Sequence, residues 1–327
     1  MAPWLWLALM WVAGAVVGLI YARVQGIPQH VALAVIPAFL LEITGYLVLG
    51  VERWRKSLDR FSPPAIAAGL TLAALAPYTI AALGAGSFDW RALAWIAVLA
   101  AAASFWYVAL PHKLPADLLF LVFMAVVWIS RTLRNEYVSP YPKLQMDVLA
   151  HLMWVRTGTL AMLNVRRMSG VGFGFWPQAR EWKIGTGYFA AFAAIGGPLA
   201  WWLGFASPRW PATHGIVGEW ERTTLLLVVT FFGSLWVLAL SEEFVFRGLL
   251  QQWMSAWLRS EWGGLAAAAL VFGTVHLWMR PFPNWRNAVL AAILGVLCGL
   301  AFRQARSIRA SMVTHALTIT IWRLFFS

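Results

Sequence analysis

Between Leu238 and Leu250 the chain reads LALSEEFVFRGLL, which sets two adjacent carboxylates and a guanidinium inside an otherwise apolar run. An ionisable group at such depth in a membrane is costly, so it marks function by default. On a helix, Glu243 and Arg247 stand one turn apart with the carboxylate N-terminal, the favourable order for an ion pair. Glu242 is rotated by about 100° from its neighbour and points elsewhere. The ion pair explains Glu243 and Arg247 and leaves Glu242 free. Two further apolar runs each carry a histidine. In LVFGTVHLW, His276 follows Phe272 by one turn and shares its face. In ASMVTHALTI, His315 sits about two turns inside the last run, with Ser311, Thr318 and Ile319 on its side.

Either histidine alone would read as a satisfied polar side chain. An acid and two imidazoles on three apolar helices instead point to the lining of a buried polar cavity. Hydrolysis there needs a base to activate water and a donor for the developing oxyanion. Glu242 suits the base, His276 a partner that holds the water with it, and His315 the donor. A second arrangement uses Glu242, His276 and His315 as three ligands of a zinc ion with water as the fourth. The HExxH, GxSG and GxGD patterns of other hydrolases are absent from this sequence. Ser241 has no base placed by spacing and reads as a helix-packing serine.

The elements that must position these groups are membrane helices. Of 327 residues, 61% are hydrophobic and 12% charged, far from the usage of soluble domains. The apolar runs are continuous rather than alternating, which favours helices over a barrel. The expected fold is an all-α polytopic membrane helical bundle of about nine or ten spans. They are placed near Pro3 to Ile20, Ile27 to Val51, Pro64 to Ala85, Arg91 to Leu110, Thr186 to Phe205, Thr223 to Trp253, Trp262 to Met279, Asn287 to Phe302 and Ala310 to Phe326. Asp117 to Ser130 is short for a span and reads as re-entrant or interfacial. The first segment lacks a basic n-region and reads as a retained helix rather than a signal peptide.

The net charge of +12 is spread over loop after loop instead of one face, which argues against nucleic acid as a partner. Positive-inside bias accounts for it: Arg53, Arg55, Lys56 and Arg60, the residues from Arg131 to Lys183, and Arg303, Arg306 and Arg309 all read as cytoplasmic. Membrane lipid, anionic at that surface, is the partner these loops suit. Cys298 is the sole cysteine, which leaves no intramolecular disulfide, and reads as small-residue packing.

The chain divides near Arg222 into an accessory N-terminal membrane region, 1–222, and a catalytic segment, 223–327. The accessory region has few charges in its spans and one polar insertion near 131–185. Within that insertion Asp147, His151 and Arg156 interrupt an apolar helix, which reads as interfacial with a solvated or headgroup-facing edge. Asp147 and His151 are one turn apart, yet two residues do not make a metal site. GVGFGF, Gly170 to Phe175, neither follows a strand nor opens a helix and reads as a turn rather than a phosphate loop.

EEFVFR matches the EExxxR motif, FGTVH matches FxxxH and HALTI matches the first part of HxxxN. With their order, their placement on separate spans and the trailing RGLL, the segment Thr223 to Phe326 resembles the CAAX prenyl protease and bacteriocin-processing family of intramembrane peptidases, a group that includes the Ras-converting enzyme and many bacterial relatives. The likeness is to the bacterial branch, in which a prenylated substrate is not generally implied. The resemblance implies a catalytic role for Glu242, support from Glu243 and Arg247, and His276 and His315 as the motif histidines. It implies an endopeptidase acting on a protein or peptide near the membrane surface, in a bacterial cytoplasmic membrane; of the two arrangements above, the residues favour a glutamate-activated water with no obligatory metal over the zinc one. One position departs: the family has Asn where this chain has Ile319, and Thr318 stands one residue earlier near that face. An inactive scaffold or immunity protein is the alternative that departure raises. A transporter is a further one, although the paired broken helices and repeated halves that transporters show are not evident.

Overall fold

The computed structural model describes residues 3–207, 219–279 and 281–326. Helix makes up 82% of it, and no strand occurs among the described residues. The all-α expectation therefore holds. Six helices are long and apolar enough to cross a membrane by length and composition. The chain is an integral membrane protein.

That count stops short of nine or ten for local reasons. Leu114–Ile129 and Glu261–Val275 have only 16 and 15 residues, about 22–24 Å at 1.5 Å per residue against about 30 Å of hydrocarbon. Ile308–Phe325 is interrupted by Arg309, His315, Arg323 and three threonines, and Ala179–Trp202 opens on a charged turn.

The chain forms two compact units, Met1–Met168 and Ser169–Ser327. The first holds α1 (Pro3–Gln25), α2 (Gln29–Gly50), α3 (Pro63–Ala85), α4 (Trp90–Ala109), α5 (Leu114–Ile129) and α6 (Asp147–Leu160). Helix α6 lies against α2, α3 and α4, which makes it a core element of this unit. The interfacial reading of its Arg156 is corrected here. Arg156 is 2% exposed, its Nε and Nη2 donate to both carboxylate oxygens of Glu42 on α2 at 2.6 and 3.0 Å, and Nη2 also donates to the Ala73 carbonyl. Gly45, one turn after Glu42, makes room for it: a Cβ there would come within 2.7 Å of the guanidinium stem. A second pair closes the same way, with Arg166 donating to both oxygens of Asp117 at 2.6 Å.

The second unit holds α7 (Ala179–Trp202), α8 (Thr223–Leu258), α9 (Glu261–Val275), α10 (Trp285–Ala305) and α11 (Ile308–Phe325). Helix α10 packs on α7, α9 and α11, and α7 packs on α11. Gly185 permits that last contact, since a Cβ would lie 2.5 Å from the Ala310 carbonyl, and the Gly185 carbonyl accepts from Thr314. The unit thus begins before α7, whereas the division drawn from sequence at 222/223 marks where the motifs begin. GVGFGF is a turn, as expected. Gly170 and Gly172 have positive φ, and the turn's carbonyls receive the Ile308 amide and the Ser307 hydroxyl at the start of α11. Cys298 is buried in a small core cluster with Phe192, Leu294 and Leu297.

Candidate active site

Helix α8 is not regular where it carries the acids. Two π-helical stretches, Ser234–Ala239 and Phe244–Gln251, flank a single α-turn, Leu240–Glu243. Such widened turns are rare and gather at functional sites. The short α-turn fixes the two glutamates about 100° apart, and their environments diverge as that rotation requires. The Glu243 side chain is wholly buried, while that of Glu242 is 28% exposed.

Glu243 is shared by two partners. Its Oε1 accepts from Arg247 Nη1 at 2.9 Å and from His315 Nδ1 at 2.6 Å. Arg247 Nη2 goes on to the Gly295 carbonyl on α10 at 3.0 Å, so the guanidinium ties α8 to α10. Glu243 Oε2 is buried without a hydrogen bond of ordinary geometry, with Ser311 and Cys298 beside the same carboxylate. The ion pair read from the i, i+4 spacing is therefore present.

The histidines are oriented by what their Nδ1 atoms meet. A carboxylate in an ion pair only accepts, so His315 Nδ1 carries a proton toward Glu243. Its Nε2 then faces Glu242, 3.7 Å from Oε2. His276 Nδ1 lies 2.7 Å from the Phe272 carbonyl, again an acceptor only, which leaves its Nε2 unprotonated in the neutral ring. Glu242 and His315 both lie within electrostatic reach of His276. Its position needs one correction. It does not lie within a helical span: α9 ends at Val275, and His276 opens a 3₁₀ turn, His276–Trp278.

Phe272 organises the group. It is fully buried, and its ring lies 4.6 Å from the Arg247 guanidinium, 4.6 Å from the His276 ring and 5.6 Å from the His315 ring, centre to centre. Phe246 meets it edge to face at 4.9 Å. The sequence reading placed Phe272 on the face of His276 but missed this role, and the one-turn spacing of FxxxH was the available signal.

The structure thus brings Glu242, Glu243, Arg247, His276 and His315 into one cluster. Ser241 donates to the Val237 and Leu238 carbonyls of its own helix. Thr318 donates to the Thr314 carbonyl, so its proton is not turned to the cluster. Among the described residues, no group of three or more His, Cys, Asp or Glu side chains converges closely enough to hold a metal ion.

An acid from α8, an imidazole from α11 and a second imidazole from the turn after α9 thus meet inside a helical membrane protein, a set of groups that could carry hydrolytic chemistry. Residues 224–321 match the family model of Type II CAAX prenyl endopeptidase Rce1-like proteins. The match covers a little under a third of the chain, and that likeness suggests a CAAX-type intramembrane protease. No curated protein matches the chain, and no solved structure does.

Proposed function

We propose that the chain is an intramembrane endopeptidase that cleaves a membrane-proximal peptide bond of a protein or peptide, with Glu242 activating a water and without an obligatory metal. Its setting on this reading is a bacterial cytoplasmic membrane, and prenylation of the substrate is not required. One observation carries the mechanism: adjacent glutamates are split between a wholly buried, paired Glu243 and a partly open Glu242 whose Oε2 faces His315 Nε2.

Glu242 takes one proton of the water as the oxygen bonds to the scissile carbonyl carbon. Neutral His276, held by its Nδ1–H to Phe272, accepts from the other water proton through Nε2 and aims the lone pair. The carbonyl oxygen becomes an oxyanion. His315, anchored through Nδ1 to Glu243 and with Nε2 turned toward Glu242, stabilises it when that nitrogen carries a proton. Collapse breaks the C–N bond, and Glu242 returns its proton to the leaving amine.

The test is cleavage of a membrane-anchored peptide reporter by purified protein in proteoliposomes. Glu242→Gln is expected to abolish processing while the variant stays monodisperse with unchanged helix content. Unchanged cleavage would overturn the role of Glu242. Loss on chelation with recovery on zinc would replace the metal-free mechanism with the three-ligand one. The departure at Ile319, with Thr318 bonded to its own helix, favours a second reading, an inactive scaffold. Binding of a partner by wild type and Glu242→Gln alike, with no cleavage by either, would establish it.

A further inference from the structure

A cavity of about 350 Å³ opens in the first unit, far in sequence from the acid and imidazole cluster. Arg131, Arg134, Asp147, His151 and Trp128 line it, with apolar walls from Val127, Ile129 and Leu133. Arg134 pairs with Asp147 at 3.2 Å, both partly exposed. Arg131 is exposed, has no ion-pair partner among the described residues and holds a left-handed backbone, φ 58°. The His151 ring lies tilted against Trp128, ring centres 3.8 Å apart, and its Nδ1 is buried without a partner. Burial holds the His151 pKa below its usual value, so the ring is neutral near pH 7. Two guanidinium groups against one carboxylate leave the cavity a net positive charge.

What lies beside the cavity selects its occupant. Leu119, Val122, Val126 and Ile129 are all more than half exposed, and their 3-4-3 spacing draws one apolar stripe along α5 that ends at Arg131. Trp128 stands at the same end, where aromatic side chains favour the boundary between hydrocarbon and water. A soluble anion would use the guanidinium groups and leave the stripe idle. A phospholipid would use both.

We infer that this cavity is a binding site for one anionic phospholipid, its phosphate at Arg131 and Arg134 and an acyl chain along the exposed stripe of α5.

The test is native mass spectrometry of the full chain after mild delipidation from mixed phosphatidylglycerol and phosphatidylcholine. Wild type is expected to retain one phosphatidylglycerol in preference to phosphatidylcholine. The double variant Arg131→Gln/Arg134→Gln should lose that retention by roughly thirtyfold, from roughly 1 kcal/mol per basic residue at an anionic surface. Arg91→Ala, an exposed arginine outside the cavity, should behave as wild type. Asp147→Asn, which removes the competing carboxylate, should raise retention. It also keeps the question decidable if the double variant does not fold. Equal retention of the two lipids, or no change in either cavity variant, would overturn the site. Displacement of the lipid by excess inorganic phosphate would overturn the acyl-chain half and make the ligand a soluble phosphate.

Discussion

Each unit buries charge, and the two do it differently. In the first, Arg156 meets both oxygens of Glu42 and Arg166 both oxygens of Asp117, so each carboxylate is closed by a fork. In the second, Arg247 and His315 converge on one oxygen of Glu243, the other oxygen makes no hydrogen bond of ordinary geometry, and Glu242 beside it is left partly open. A closed fork has no capacity left for a substrate and reads as architecture. An under-committed cluster has atoms to spare, and chemistry needs such atoms. Burial of charge alone does not mark a site; incomplete pairing does.

The sharpest way to break this contrast is at Glu242. Glu242→Gln should lower turnover of a reporter peptide by on the order of 10²–10⁴-fold, the span of a lost general base, with the melting temperature within error of wild type. Next in size is the closed pair. Arg156→Met strands a buried carboxylate and should cost about 3–5 kcal/mol of stability in a denaturation series, whereas Glu42→Leu/Arg156→Met should recover most of it. The corresponding double change at Glu243 and Arg247 should recover fold but not cleavage. If it restored cleavage, the second cluster would be architecture as well.

A smaller effect is expected at Phe272. Loss of its ring from beside Arg247 removes a contact of about 0.5–2 kcal/mol, so Phe272→Leu should slow kcat by roughly 2- to 30-fold with little change in KM, and Phe272→Tyr should keep most of the rate. A purely structural Phe272 would lower melting temperature without that split. The smallest is at Glu261, an exposed carboxyl held below its usual value by hydrogen bonds from Arg303 and Arg306. A depressed carboxyl adds stability above its unfolded pKa and loses it as pH falls through the folded one. Glu261→Gln should therefore leave cleavage unchanged and slightly flatten the acid limb of a stability profile, below about pH 4.

The local part of the site was legible in the sequence. Glu243 with Arg247, and Phe272 with His276, are one-turn pairs that helical periodicity dictates. The grouping on three helices followed from the rarity of polar residues in these runs. The 72-residue contact between Glu243 and His315 was not legible, because the packing of α8 against α11 sets it rather than any local spacing. For the same reason Arg156 read as a headgroup-facing residue. Its partner Glu42 is 114 residues away, and the space for it comes from Gly45, which no periodicity singles out. His276 read as intrahelical since VHLW continues the apolar run, and the turn into 3₁₀ geometry before Met279 carries no local signature in composition.

The π-helical stretch from Phe244 to Gln251 also bears on how the chain tolerates a change of length. A widened turn accommodates an additional residue relative to regular α geometry. Excising one residue between Phe244 and Phe246 should let the backbone tighten while leaving both acids and the downstream register in place. The same excision between Leu240 and Glu242 would swing the upstream half of α8 about its axis by roughly 100° relative to the acids. A one-codon deletion scan across Leu238 to Gln252, scored for processing, should show a tolerant patch immediately after an intolerant one.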